Sequence, residues 1–237
     1  MPGSVIVTGA AKGIGAACAS AFHDAGWSVV AVDREKLDSS VASVVGDVSE
    51  RAVNEEAVRT ALDRFGRLDA VVGNAGINLP KLVDDTSAEE FDRLFAVNVK
   101  ALFYIAQAAH RPLAESRGSF TIVASKTGLV AQRNSPVYVA TKGAAVQLAR
   151  ALALDWAPEG IRVNAVCPGI VDTPMLREFV DGLPDPKSAW KEHELAQPLG
   201  RLATPAECAA AVLFLASPAA SFITGVALPV DGGFTAE

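Results

Sequence analysis

A short β-branched run ends in a glycine-rich turn and passes straight into a helix: Ser4-Val-Ile-Val-Thr8, then Gly9-Ala-Ala-Lys12-Gly13-Ile14-Gly15, then Ala16 to Ala25 without a breaker. Glycines let the backbone approach a bound group closely, and the N–H groups at the start of the following helix meet the charge of a pyrophosphate. The segment therefore reads as the first strand–turn–helix unit of a dinucleotide-binding fold. Its spacing is G-x-x-x-G-x-G rather than G-x-G-x-x-G. Alone, such a turn is common; its place between a first strand and a first helix gives it weight.

A second strand, Ser28-Val-Val-Ala-Val-Asp33, ends in a carboxylate 18 residues beyond Gly15. That is where the fold places the acid that binds the adenosine ribose hydroxyls. Asp33 should therefore favour NAD by repelling a 2′-phosphate, although Lys12 and Arg34 are cations able to neutralise one. Two like charges about 4 Å apart cost roughly 4 kcal/mol at a surface-like dielectric, so the strand-end acid outweighs two cations on long, mobile side chains. NAD is the expected dinucleotide and NADP the less favoured one.

Further along, Ser125 precedes Tyr138-Val-Ala-Thr-Lys142. Residues four apart on a helix share a face, so Tyr138 and Lys142 are neighbours. An ammonium there favours the phenolate, and the spacing predicts a Tyr138 pKa below its usual value of about 10. A tyrosine tuned in this way can take a proton from an alcohol.

Strand and helix signals alternate along the chain, which points to a parallel sheet with helices on both faces. After the two opening strands, the segment between Asp33 and Asp47 is too short for a full crossover helix, so at most a helical turn is expected before a strand near 43–46. The reading continues with a helix over 49–65 capped by Ser49 and a strand over 68–72. A long helix over 88–115 follows, capped by Ser87 and broken near Asn98. Next come a strand over 118–124 carrying Ser125 at its end, a helix over 136–156, and a strand over 161–166 that Cys167-Pro168-Gly169 turns out of the sheet. A helix over 204–216 and a strand over 226–230 close the chain. The stretch 170–200 carries four prolines among apolar and charged residues, and it leaves the carboxyl edge of the sixth strand. It reads as a substrate lid with one or two short helices.

Together these motifs resemble the short-chain dehydrogenases/reductases across nearly the whole chain. The matching stretches are Thr8 to Gly15, Asp47-Val48, Asn74-Ala75-Gly76, Asn98-Val99, Ser125, Tyr138 to Lys142, Asn164 to Gly169 and Pro229 to Gly233. The resemblance implies a Rossmann-type doubly wound α/β fold, a three-layer sandwich with about seven parallel strands, as one domain over 1–237 with the lid at about 170–200. It implies Tyr138 as general acid/base and Lys142 as the group that lowers its pKa and holds the nicotinamide ribose. Ser125 would orient the substrate oxygen, and Asn98 would anchor a water relaying protons toward Lys142. The dinucleotide would lie against Gly9, Lys12, Gly13, Ile14, Gly15, Asp33, Arg34, Asp47, Val48, Asn74, Ala75, Gly76, Tyr138, Lys142, Pro168, Gly169, Val171 and Thr173. One departure stands out: the family carries two asparagines before Ala-Gly, and the first is Gly73 here, which should loosen that turn.

Composition narrows the remaining classes. A net charge of −6 over 237 residues, with no run of basic residues, excludes a nucleic-acid partner that needs a basic face. Cys18, Cys167 and Cys208 form no C-x-x-C pair, and His23, His110 and His193 match no ligand spacing, so neither a disulfide framework nor a metal site is indicated. Buried thiols fit a reducing cytoplasm, and no membrane span or leader is recognised. The expected activity is interconversion of a secondary alcohol, cyclic or hydrophobic, with its ketone. A 3-oxoacyl-[acyl-carrier-protein] reductase using NADPH is the alternative, and a non-catalytic dinucleotide-binding protein is the alternative from another class. A sugar-nucleotide epimerase would need a larger domain than the 68 residues after Gly169. The resemblance also implies a homo-oligomer, commonly a tetramer.

Overall fold

Strands that are apolar along their whole length suit a parallel sheet covered on both faces. The computed structural model, which describes residues 3–37 and 41–236, contains that sheet. Its strands are β1 (Ser4–Thr8), β2 (Ser28–Asp33), β3 (Ala42–Val45), β4 (Ala70–Gly73), β5 (Ser119–Val123), β6 (Arg162–Pro168) and β7 (Ala227–Val230). All pair in parallel, in the order β3-β2-β1-β4-β5-β6-β7. The order reverses between β1 and β4, and doubly wound sheets bind ligands outside the carboxyl ends at such a point.

The helices are α1 (Gly13–Asp24), α2 (Arg51–Phe65), α3 (Ala88–Phe95), α4 (Ala101–Ser116), α5 (Pro136–Trp156), α6 (Pro174–Asp181), α7 (Pro186–Leu195) and α8 (Pro205–Ala216). Alternate strand residues point to opposite faces. Val5, Val7, Val29 and Ala31 meet Cys18 and Phe22 of α1 and Val212 and Leu215 of α8. Ile6, Val30 and Val32 belong to the other layer, with Ala57 of α2, Ile105 of α4 and Ala149 of α5. The two layers bury both faces of the sheet.

Several boundaries differ from the sequence reading, each for a local reason. α2 starts at Arg51, and Ser49 is not its cap: the Ser49 N–H and hydroxyl both donate to Asp47 Oδ1, at 2.9 and 2.7 Å. β6 runs on through Cys167 and Pro168, paired with Pro229 and Val230, so the chain leaves the sheet at Gly169 rather than at Cys167. Residues 34–37 form a bend without a helical turn, and the rest of the expected turn, at 38–40, lies outside the described residues. The break near Asn98 is a π turn over Ala96–Lys100 between α3 and α4, a device that often marks functional positions. Ser87 caps α3 through a full capping box with Glu90.

All three cysteines are free and buried. Burial pushes Cys18 and Cys208 up to about 12 and Cys167 up to about 11, so these are unreactive thiols. No helix among the described residues is long and apolar enough to cross a membrane.

Gly73 does not loosen its turn. It remains in β4, opposite Ile122, and a Cβ there would lie 2.6 Å from Leu102 Cδ2 and 3.0 Å from Phe120 Cε2. Its neighbours have filled the space where the family's asparagine would begin. Installing that residue, Gly73→Asn, should therefore destabilise the fold by about 1–3 kcal/mol through overpacking. Adding Leu102→Ala should recover part of the loss. Chemical denaturation checks both, and an unchanged midpoint for Gly73→Asn would show that the space is not filled.

Candidate active site

The glycine-rich turn is held from two sides. Gly9 and Ala10 donate backbone N–H groups to the Val32 carbonyl, at 2.8 and 3.2 Å, which ties the turn to the end of β2. On the other side the Thr8 hydroxyl accepts from the N–H groups of Asn74 and Ala75, at 3.0 and 3.1 Å. The Asn74 amide returns to the carbonyls of Thr8 and Gly9, at 2.9 and 3.1 Å. Gly15 is a steric requirement, because a Cβ there would stand 1.9 Å from the Gly9 carbonyl oxygen. Lys12 occupies the N-cap of α1 with no side-chain cap bond, so the first N–H groups of that helix lack the hydroxyl cap seen at α3, α6 and α8. Uncapped N–H groups behind a glycine turn form a cradle that fits a pyrophosphate.

At the end of β2, Asp33 accepts from Ala11 N–H at 2.9 Å and from Glu35 N–H at 3.1 Å. These bonds fix the carboxylate beside the turn. Lys12 pairs with Glu35 at 2.8 Å rather than with Asp33, which places a second acid at this corner. Glu35 is absent from the sequence reading; its only sequence signal is one more charge in a short acidic and basic run. Asp47, expected at the adenine end, is engaged with the protein: Ser49 takes Oδ1 and the Arg93 guanidinium takes Oδ2 at 2.7 Å. Burial works to raise its pKa, but hydrogen bonds from Ser49 and Arg93 outweigh it and bring the carboxyl down to about 2. Val48 next to it is buried.

The loop after β6 closes on the same cradle. A Cβ on Gly13 would lie 3.4 Å from Thr173 Cγ2, and Thr173 caps α6 by accepting from Leu176 N–H at 3.3 Å. Pro168 and Gly169 sit against β7, and Val171 bridges to Ala203. Buried Gln197, unmarked in the sequence reading, fastens both roots of the 170–200 excursion. Its oxygen accepts from Ile170 N–H at 2.8 Å, and its amide donates to the carbonyls of Ile170 and Arg201 at 3.2 and 2.7 Å.

Ser125, Tyr138, Lys142 and Asn98 converge at the carboxyl edge. Ser125 follows β5, and Tyr138 and Lys142 come from the first two turns of α5. Lys142 Nζ donates to the Val123 carbonyl at 3.1 Å and lies 5.8 Å from the Tyr138 ring centre. A Cβ on Gly76 would meet both Asn98 Oδ1, at 3.4 Å, and Lys142 Nζ, at 3.5 Å. The Asn98 amide clamps the backbone of Ile77 at both ends, at 2.9 and 3.0 Å, and donates to Thr141 Oγ1 at 3.1 Å. That side chain is therefore engaged as a staple.

One electrostatic expectation is reversed. Burial raises Tyr138 above its ordinary value, against a lowering contribution from the Ser125 hydroxyl, and burial also brings Lys142 down to about 8. Spacing places the two groups on one face but carries no information about desolvation, which disfavours both charged forms. Lys126, next to Ser125, is a further buried cation missed from sequence: its ammonium stands 3.3 Å over the Phe234 ring, and burial lowers it to about 8 against the raising effect of Asp231.

Comparison with known proteins bears on the family and the fold. The family model described as Enoyl-(Acyl carrier protein) reductase matches residues 9–235. An L-fucose dehydrogenase of Mus musculus is 42% identical, over 97% of this chain and 87% of its own length. The ligand-free aldohexose dehydrogenase of Thermoplasma acidophilum superposes with a TM-score of 0.94 at 32% identity, covering 100% of this chain and 95% of that one. A 3-ketoacyl-(acyl-carrier-protein) reductase from Brucella melitensis, solved as a complex with NADH, superposes with a TM-score of 0.90 at 36% identity, covering 99% and 98%.

Asp47, held by Ser49 and then by Arg93, makes the stability of this corner depend on pH. A carboxyl depressed from 3.8 to about 2 stabilises the fold fully above pH 4 and loses that contribution as pH falls toward 2. With the Asp47 side chain 22% exposed, the whole effect is about 2 kcal/mol at most. Arg93→Met should therefore lower the urea midpoint at pH 6, and the gap to the parent should narrow at pH 2.5. An equal gap at both values would assign Arg93 to packing instead.

Proposed function

The chain belongs to the short-chain dehydrogenase/reductase family, and on that premise we propose a NAD(P)-dependent oxidoreductase that interconverts a secondary alcohol and its ketone. The observation that carries this reading is the convergence of Ser125, Tyr138, Lys142 and the Asn98 staple beside the glycine-rich cradle. When bound, the dinucleotide supplies the hydride acceptor or donor. The turn from Gly9 to Gly15 and the first N–H groups of α1 hold its pyrophosphate, and Asp33 holds the adenosine ribose. Asn74, Ala75 and Gly76, with Lys142 and the loop from Pro168 to Thr173, line the path toward the nicotinamide end.

In the oxidation direction Tyr138 takes the hydroxyl proton, while Ser125 and Tyr138 stabilise the charge that develops on the substrate oxygen. Burial keeps the phenol protonated, which suits it to donate in the reduction direction; Lys142 is the cation on this chain able to favour its phenolate for oxidation. Because the Asn98 amide is occupied, water toward Lys142 would be held by the backbone of the π turn rather than by the side chain.

The whole of residues 1–237 acts as one catalytic domain, with the excursion at about 170–200 as its lid. Gln197 fixes the lid's roots, and its helices offer exposed Met175 and partly exposed Phe179 and Trp190. These side chains suit the face of a ring. Relatives named for L-fucose and aldohexose point the same way, so a cyclic alcohol is the proposed substrate. The 3-ketoacyl-(acyl-carrier-protein) reductase among the solved neighbours supports reduction of a 3-oxoacyl thioester as the second reading. Large exposed apolar residues, Leu154 on α5 and Phe222 before β7, support a homo-oligomer.

NAD is favoured because two acids, Asp33 and Glu35, stand at the ribose corner and Lys12 is already paired. Asp33→Ser should raise kcat/KM with NADP relative to NAD by tenfold or more, given that a close like-charge contact costs roughly 4 kcal/mol before solvent offsets it. A parent enzyme more efficient with NADP would refute this assignment. Tyr138→Phe should lower kcat by about 10²–10⁴-fold with dinucleotide affinity nearly unchanged. Rates of NADH formation over a panel of cyclic alcohols, sugars and 3-hydroxyacyl thioesters decide between the substrate readings, and a Tyr138→Phe variant of full activity would sink the acid/base role.

A further inference from the structure

The serine at the carboxyl end of β5 has an unusual neighbour. Thr127, two residues on, directs both of its donors at one atom: its N–H reaches Ser125 Oγ at 3.2 Å and its hydroxyl reaches the same oxygen at 3.0 Å. Thr127 is 4% exposed, and among the described residues Ser125 Oγ is the hydrogen-bond partner of its hydroxyl. A buried hydroxyl proton with one acceptor in reach is donated to it. Ser125 Oγ then accepts two bonds, which use both of its lone pairs. Its own proton cannot point back toward Thr127.

We propose that Thr127 is a positioning residue that forces the Ser125 hydroxyl to act as a donor, aimed at the substrate oxygen and at Tyr138. The inference rests on the reading of Ser125 as part of the active site. Donation into a hydroxyl also strengthens that hydroxyl's own donation, so Thr127 makes Ser125 a better donor as well as a better aimed one. The turn that presents Thr127 is rigid. Gly128 N–H closes onto the Ser125 carbonyl at 2.9 Å, and Gly128 packs so tightly on α5 that a Cβ would lie 2.7 Å from the Lys142 carbonyl oxygen. By contrast the Thr141 hydroxyl, also buried, donates to a backbone carbonyl, that of Tyr138 at 2.8 Å.

The chain has two tyrosines, Tyr104 and Tyr138, so Tyr104→Phe leaves one phenol to follow by NMR of ring-labelled tyrosine. In that background, with and without saturating NAD, Ser125→Ala should move the Tyr138 titration upward, because a donor to the phenolate is lost. Thr127→Val, which exchanges the hydroxyl for a methyl at similar volume, should move it the same way by about half a unit. Thr127→Ser should restore the parent midpoint, and Thr127→Val should add nothing once Ser125 is alanine. Turnover of the best alcohol from the panel should fall about fivefold to tenfold in Thr127→Val at unchanged NAD affinity. If valine does not fit, Thr127→Ala repeats the comparison without added volume. A Thr127→Val midpoint equal to the parent while Ser125→Ala moves it, or an equal Thr127→Val shift in the Ser125→Ala background, overturns the proposal. No response to Ser125→Ala in either midpoint or turnover overturns it together with the reading of Ser125.

Discussion

The Thr8–Asn74 clamp is the contact on which the rest of the site depends. It joins the end of β1 to the end of β4, the two strands between which the sheet reverses, using one hydroxyl and one amide in four hydrogen bonds. From there a hydrogen-bonded line runs across the molecule. The loop after Asn74 is stapled by Asn98 at Ile77, Asn98 donates to Thr141, and Thr141 donates to the Tyr138 carbonyl. A turn that fits a pyrophosphate and a helix that carries a phenol are thus held to one another by side chains buried at the carboxyl edge. Such networks are stable only when every member is satisfied, which makes the register between the two ends unusually well specified.

Burial sets the electrostatic character of Tyr138 and Lys142. Desolvation disfavours charge on Tyr138 and on Lys142 alike, so it raises the first and lowers the second. The two groups start close together, at 10.0 and 10.5, and burial drives them apart: the phenol rises above its ordinary value while the ammonium falls to about 8. Ser125 is the hydrogen-bonding influence that opposes burial at the phenol. A change in how its hydroxyl is oriented is felt at the phenol oxygen.

Much of this was legible in the sequence, because period and punctuation are local properties. β2 and α5 have the boundaries read from their patterns, and Ser87 is the N-cap that it was read to be. The glycine spacing was legible because Gly15 answers a steric demand made only six residues away. What could not be read depended on partners distant in sequence. Ser49 was a plausible cap, but Asp47, anchored by Arg93 from α3, claims it first. Gly73 resembled a defect until Leu102 and Phe120 were found in its place. Gln197 had no pattern at all, since its role is to satisfy backbone groups on both sides of a 30-residue excursion.

That last residue bears on how the excursion is held. The roots are fixed where Ile170 and Arg201 share the Gln197 amide, and the backbone continues the attachment from Asp172 N–H to the Ala203 carbonyl at 2.9 Å. Beyond these bonds α6 and α7 pack mainly on one another, with Phe179 and His193 rings 6.4 Å apart and Trp190 Nε1 donating to Asp181 at 3.4 Å. Their capping side chains, Thr173 and Asp185, are local. The helix pair thus combines firm roots with self-contained caps and is held to the domain mainly at its base. Thr173 lies at the root of that unit and beside Gly13, where a Cβ on the glycine would stand 3.4 Å from Thr173 Cγ2, so the helix pair and the glycine turn adjoin.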